Sequence, residues 1–253
     1  MLIDVHAHIW KGTYRQNREE LLKAAALYDI TKIYVSGLGG VYPDKDEIDE
    51  LNLEVYKFMA ENKNSIEGYC YVNPANANSL AVLKNGVEKY GMAGMKLWVA
   101  TLCDHPSVFP LVEKCIDYRI PMLIHAFHKA IGQLEYESLG TNVAKLAERY
   151  PEAKIIMAHL GGNCYNGIKP IRNCKNVYVD ISGSLFRRDE LDYTVKQLGH
   201  ERILFGTDMI GSFLVNLGQV EEADLTRDQK AMIFYNNALR IFDRSLLQWA
   251  ELT

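Results

Sequence analysis

The 253-residue chain contains no run of 18 apolar residues, so the sequence offers no candidate membrane-spanning helix. No basic cluster is present either, and the net formal charge is only −4, which argues against nucleic acid or an anionic membrane as partner. The five cysteines (Cys70, Cys103, Cys115, Cys164, Cys174) are odd in number, scattered and without CxxC spacing, so neither a zinc ribbon nor a disulfide framework is expected. Met1 passes directly into Leu2-Ile3 with no basic stretch before it, so a cytoplasmic protein without a signal peptide is expected. No Pro/Ser-rich linker, internal repeat or low-complexity tract divides the chain, and the reading is therefore one domain, residues 1–253.

What the chain does contain is alternation. Eight short runs rich in β-branched and apolar residues begin at Leu2, Lys32, Ile66, Ala93, Met122, Lys154, Val177 and Ile203. Between them lie stretches with apolar residues three and four apart: Glu19 to Leu27, Asp46 to Asn62, Leu80 to Tyr90, Val108 to Tyr118, Val143 to Tyr150, Glu190 to Leu198 and Arg227 to Phe234. Gly167 and Pro170 interrupt the connection after Gly161, so a short or broken helix is expected there. Eight strands alternating with helices in about 250 residues predict an α/β fold, a single-domain (β/α)8 TIM barrel.

Such barrels draw their catalytic groups from the C-terminal ends of the strands. Here the first run closes in His6-Ala7-His8, the fourth holds Lys96, the fifth ends in His125, the sixth in His159 and the eighth in Asp208. Alternation along a strand places His6 and His8 on one face and turns Val5 and Ala7 toward the helices. With His125 and Asp208 this makes a set of three imidazoles and one carboxylate, suited to zinc or a similar divalent ion. A single histidine closing an apolar run is usually a hydrogen-bonded structural group. Here, however, ionisable groups recur at the one end of the strands where the fold places function.

The segments IDVHAH (Ile3 to His8), GMKL (Gly94 to Leu97), PMLIHA (Pro121 to Ala126), AHLGG (Ala158 to Gly162), LFGTD (Leu204 to Asp208) and NNALRIF (Asn236 to Phe242) resemble the amidohydrolase superfamily, in its branch of metal-dependent hydrolases and non-oxidative decarboxylases. The resemblance spans essentially the whole chain. It implies metal ligation by His6, His8, His125 and Asp208. In binuclear members a carboxylated lysine and the sixth-strand histidine hold a second ion, which would involve Lys96 and His159; in mononuclear ones that histidine acts on substrate. One or two ions, zinc first among them, are both compatible with the sequence.

The expected activity is hydrolysis of a C–N or C–O bond by metal-activated water, with Asp208 shuttling the proton and His159 polarising the scissile carbonyl. The alternatives are decarboxylation and a non-catalytic metal-binding barrel. A small-molecule substrate would be met by residues following the strands, with Trp98, His128 and Arg187 the chosen candidates and Trp10, Tyr71, Asn73, Phe127 and Asn163 beside them. Lys11, Arg15 and the pair Arg187-Arg188 suggest a carboxylate-bearing substrate, although such charges also suit a solvated rim. A homo-oligomer is compatible with the sequence, which does not specify one.

Overall fold

A computed structural model describes residues 1–183, 186, 187 and 189–243. Among them eight parallel strands pair in sequence order: β1 (Ile3–Trp10), β2 (Lys32–Leu38), β3 (Ile66–Tyr71), β4 (Gly94–Leu97), β5 (Met122–Ile124), β6 (Ile155–Met157), β7 (Val177–Asp180) and β8 (Ile203–Leu204). Hydrogen bonds from Val5 N to Phe205 O (3.0 Å) and from Thr207 N to His6 O (3.2 Å), with a bridge between Ala7 and Asp208, bring the last strand back to the first. The fold is a TIM barrel.

The barrel interior is filled by Ile3, Val5, Tyr34, Tyr69, Leu123, Ile156 and Leu204. Tyr69 fits because its neighbour is Gly94, where a Cβ would lie 2.7 Å from the Tyr69 ring. Val5 therefore faces inward, contrary to the strict alternation expected of β1. The cause is a register shift between Asp4 and Ala7, which inserts one residue relative to β2. Such a bulge lets Val5 fill the core while His6 still faces the barrel axis one residue later.

Helices cover the outside: α1 (Tyr14–Leu27), α2 (Lys45–Glu61), α3 (Ser79–Lys84), α4 (Phe109–Asp117), α5 (Gly140–Arg149), α6 (Cys164–Ile171), α7 (Glu190–Leu198), α8 (Phe213–Glu222), α9 (Arg227–Ala231) and α10 (Asn237–Ile241). In α2, Asp44 caps the N-terminus by accepting from Glu47 N, and Ile48, Leu51, Val55 and Phe58 form the buried stripe. α1 starts five residues before the expected Glu19. Its first turns are polar, and they gain from the pairs Arg15–Glu19 and Gln16–Glu20 at i,i+4 spacing. α6 is the short helix expected, eight residues capped by Asn163 with Pro170 in its last turn. The five cysteines are all free and buried. Among the described residues no helix is long and apolar enough to cross a membrane.

Candidate metal centre

The strand ends bring His6, His8 and Asp208 together. His6 Nε2 lies 3.0 Å from His8 Nε2, His8 Nε2 lies 3.1 Å from Asp208 Oδ1, and His6 Nε2 lies 3.6 Å from the same oxygen. Donors about 2.0–2.2 Å from a shared divalent ion stand roughly 3–3.6 Å apart, so this spacing fits one ion. The outer ring nitrogens fit as well. His6 Nδ1 is 2.9 Å from Asp180 Oδ2, and His8 Nδ1 is 2.8 Å from Ser36 Oγ. Partners of this kind hold an imidazole so that its Nε2 is bare and turned toward the shared space.

His159 follows β6 and stands beside this triad. Its Nδ1 is 3.1 Å from Ser182 Oγ, a hydroxyl also 3.0 Å from His6 Nδ1, and its backbone N–H donates to Asp180 Oδ1. His159 Nε2 faces His125 Nδ1 at 3.1 Å, while His125 Nε2 is 2.9 Å from Glu137 Oε1. The nitrogens thus fall into two groups: His6 and His8 with Asp208, and His125 with His159. Lys96, buried within the barrel, places Nζ 3.0 Å from His6 Nε2.

Backbone conformation is part of the arrangement. His159 (φ 62°) and Asp208 (φ 62°) are both left-handed, as is Leu160 (φ 48°). Non-glycine residues there cost of order 1–3 kcal/mol each, and such strain concentrates at functional sites. His159 and Asp208 are two of those singled out from the sequence, while Asp29, Arg119 and Asp189 share the conformation elsewhere in the chain.

Burial governs the protonation states. Desolvation lowers the pKa of His6, His8 and His125, and takes His159 down to about 4, so all four imidazoles are neutral at pH 7. Burial also brings the Lys96 amine down to about 8. Desolvation raises the Asp208 carboxyl, but the neighbouring His159, His8 and His6 outweigh it and leave the group well below the usual carboxylate range. Neutral imidazoles beside an ionised carboxylate are what a divalent ion requires.

Aromatic rings surround the mouth. Trp10 meets His8 edge-on at 6.0 Å and Trp98 at 5.9 Å, and Phe127 stacks on His125 at 5.9 Å. The expected rim cations are matched to carboxylates: Lys11 with Glu50 (3.1 Å), Arg15 with Glu19 (2.9 Å) and Arg187 with Glu190 (3.7 Å). Arg188 lies outside the described residues. His128 sits partly buried after β5, its N–H donating to Gly161 O. Asp180, Ser182, Ser36 and Glu137 were not anticipated. Asp180 closes β7 and was open to the same strand-end rule; Glu137, on a loop, carried no signal.

A family model described as Amidohydrolase matches residues 3–244. The chain belongs to the amidohydrolase family. Solved structures similar to this amidohydrolase include a dihydroxybenzoic acid decarboxylase from Polaromonas with bound manganese and the inhibitor 2-nitroresorcinol (16% identity, TM-score 0.75, covering 95% of this chain and 96% of that one). A 5-carboxyvanillate decarboxylase from Sphingomonas paucimobilis (17%, TM-score 0.73, 95% and 98%) and a 4-oxalomesaconate hydratase from Rhodopseudomonas palustris (17%, TM-score 0.71, 100% and 99%) share the fold. Comparison with curated protein sequences finds no match to this amidohydrolase.

Proposed function

We propose that the protein is a metal-dependent lyase that releases carbon dioxide from a small aromatic or unsaturated carboxylic acid. The observation that carries this reading is the donor triad His6–His8–Asp208 with Trp10 against His8, Trp98 against Trp10, and Phe127 stacked on the nearby His125. Flat aromatic walls suit a planar substrate. Two of the similar structures are decarboxylases of aromatic acids, and one holds manganese.

His6, His8 and Asp208 hold the ion, and manganese or zinc both suit two imidazoles and a carboxylate. When bound, the ion supplies positive charge that polarises a substrate oxygen and acidifies water. Trp98 and Phe127 orient the substrate ring. His159, whose Nε2 faces His125 Nδ1 at 3.1 Å, is placed to give a proton from Nε2 to the substrate carbon that loses its carboxylate, and one proton is recovered from solvent for each carbon dioxide released. His125 and His159 also present a donor pair for a second ion if Lys96 is carboxylated, which its low amine pKa favours.

Hydrolysis is the second reading. It is favoured by the Asp208 side chain, which at 24% exposure is the solvent-facing member of the triad and is placed to take a proton from water. The test is turnover by manganese- or zinc-loaded protein on hydroxybenzoates, unsaturated dicarboxylates and their amides. Release of labelled carbon dioxide supports the lyase, cleavage of the amides without it supports the hydrolase, and no turnover returns the protein to a binding role.

A further inference from the structure

Glu137 belongs to the segment joining β5 to α5, a loop whose neighbouring residues Ile131, Leu134 and Tyr136 are exposed at 93%, 38% and 40%. Glu137 itself is only 3% exposed. A carboxylate taken out of water in this way needs donors, and it has them on both oxygens. Oε2 accepts from Lys129 Nζ (2.7 Å), Gln133 Nε2 (2.9 Å) and Leu134 N (3.4 Å), all within the loop. Oε1 faces His125 Nε2 at 2.9 Å. One oxygen holds the loop and the other faces the site.

An ionised carboxylate can only accept, so His125 must donate from Nε2. A neutral imidazole then has a bare Nδ1, and that is the nitrogen turned toward His159. Among the described residues Glu137 is the one hydrogen-bond partner of His125 Nε2. A loop staple alone would need only the Oε2 contacts.

We propose that Glu137 is a positioning residue for the candidate centre, fixing His125 as its Nε2–H tautomer so that Nδ1 is the nitrogen offered to the site. The function assigned to that site rests on the reading above; the tautomer does not. Carboxylate partners of this kind raise the basicity of an imidazole and hold its plane, and losing one typically weakens metal affinity or activity about 10- to 100-fold.

The experiment is 15N NMR of protein labelled at histidine, in a metal-free and a zinc-loaded form, with zinc content measured alongside. The expected result is Nε2–H for His125 in both forms and loss of that single tautomer in Glu137→Ala, with zinc still bound by the variant through His6, His8 and Asp208. Lys129→Met, which removes a donor from the Oε2 side alone, should keep the tautomer. Nδ1–H in the unaltered protein, zinc bound through His125 Nε2, or an equal shift in Lys129→Met overturns the proposal. The spectrum of the unaltered protein is decisive even if Glu137→Ala does not fold. A failure to release carbon dioxide would sink the lyase reading and leave the NMR result unaffected.

Discussion

Asp180 Oδ2 stands 2.9 Å from His6 Nδ1, with both side chains fully excluded from solvent. The other oxygen of the same carboxylate accepts from His159 N at 3.1 Å and Ser182 N at 3.0 Å. One residue of β7 therefore sets the imidazole of β1 and the backbone that carries the imidazole of β6. Asp180→Asn replaces an acceptor with a group that can donate, and it allows His6 to turn its bare nitrogen outward. Metal affinity should fall about 10- to 100-fold, read by competition with a chelating dye. Unchanged affinity would reduce Asp180 to a structural link.

Asp208 offers a cleaner separation of charge from shape. Its φ of 62° lies where asparagine is also at ease, so Asp208→Asn keeps the backbone while removing the carboxylate. Under the hydrolytic reading turnover should drop about 10²- to 10⁴-fold with the ion retained, the usual contribution of a positioned acid or base, whereas under the lyase reading the loss should follow metal content. Metal content is measured on the same samples. Full activity with the ion retained would refute a role for Asp208 in proton transfer.

The four buried imidazoles make the metal-free protein acid-sensitive. Each has a folded pKa below its unfolded value of 6.5, so the stability it contributes is complete above pH 6.5 and is lost as pH falls through the folded value. For His159, at about 4, that loss reaches about 3 kcal/mol. Lys96, lowered to about 8, has already exerted its whole cost by that pH and adds nothing below it. Asp4 works the other way: burial raises it to about 7, so its protonation favours the folded state as pH falls toward 3.8. Burial raises the Glu190 carboxyl as well, and the four imidazoles outweigh these two carboxyls. The thermal midpoint, measured in chelator, should fall between pH 6.5 and 4.5, and a flat profile would contradict the burial of these rings in neutral form.

The strands were legible because parallel strands buried on both faces read as short β-branched runs, and their polar ends stood out against that background. His6, His8, Lys96, His125, His159 and Asp208 were found in this way; the structure sets His6 and His8 with Asp208, Lys96 against His6, and His125 with His159. Val5 was misread because a bulge leaves no mark in a period of two. α8 was overlooked because Phe213, Leu214 and Val215 are consecutive rather than spaced; only Phe213 of the three is buried. Glu137 was invisible for a different reason: loop geometry, not sequence pattern, carries it to His125.

Gly167 of α6 packs directly on the left-handed segment that follows His159. A Cβ there would lie 2.3 Å from Leu160 O and 2.8 Å from Gly161 Cα, and both obstacles are backbone that cannot swing aside. Gly167→Ala should therefore push α6 off this segment, at about 1–3 kcal/mol by analogy with other overpacked sites. The displacement would reach His159, so metal-dependent turnover should fall together with the thermal midpoint. Gly218→Ala is the matched control, because that glycine lies within α8 with nothing inside 4 Å of its added carbon. There alanine should stabilise by about 0.5–1 kcal/mol through helix propensity. If both substitutions shift the midpoint in the same direction, close packing of α6 against the His159 segment is not what Gly167 provides.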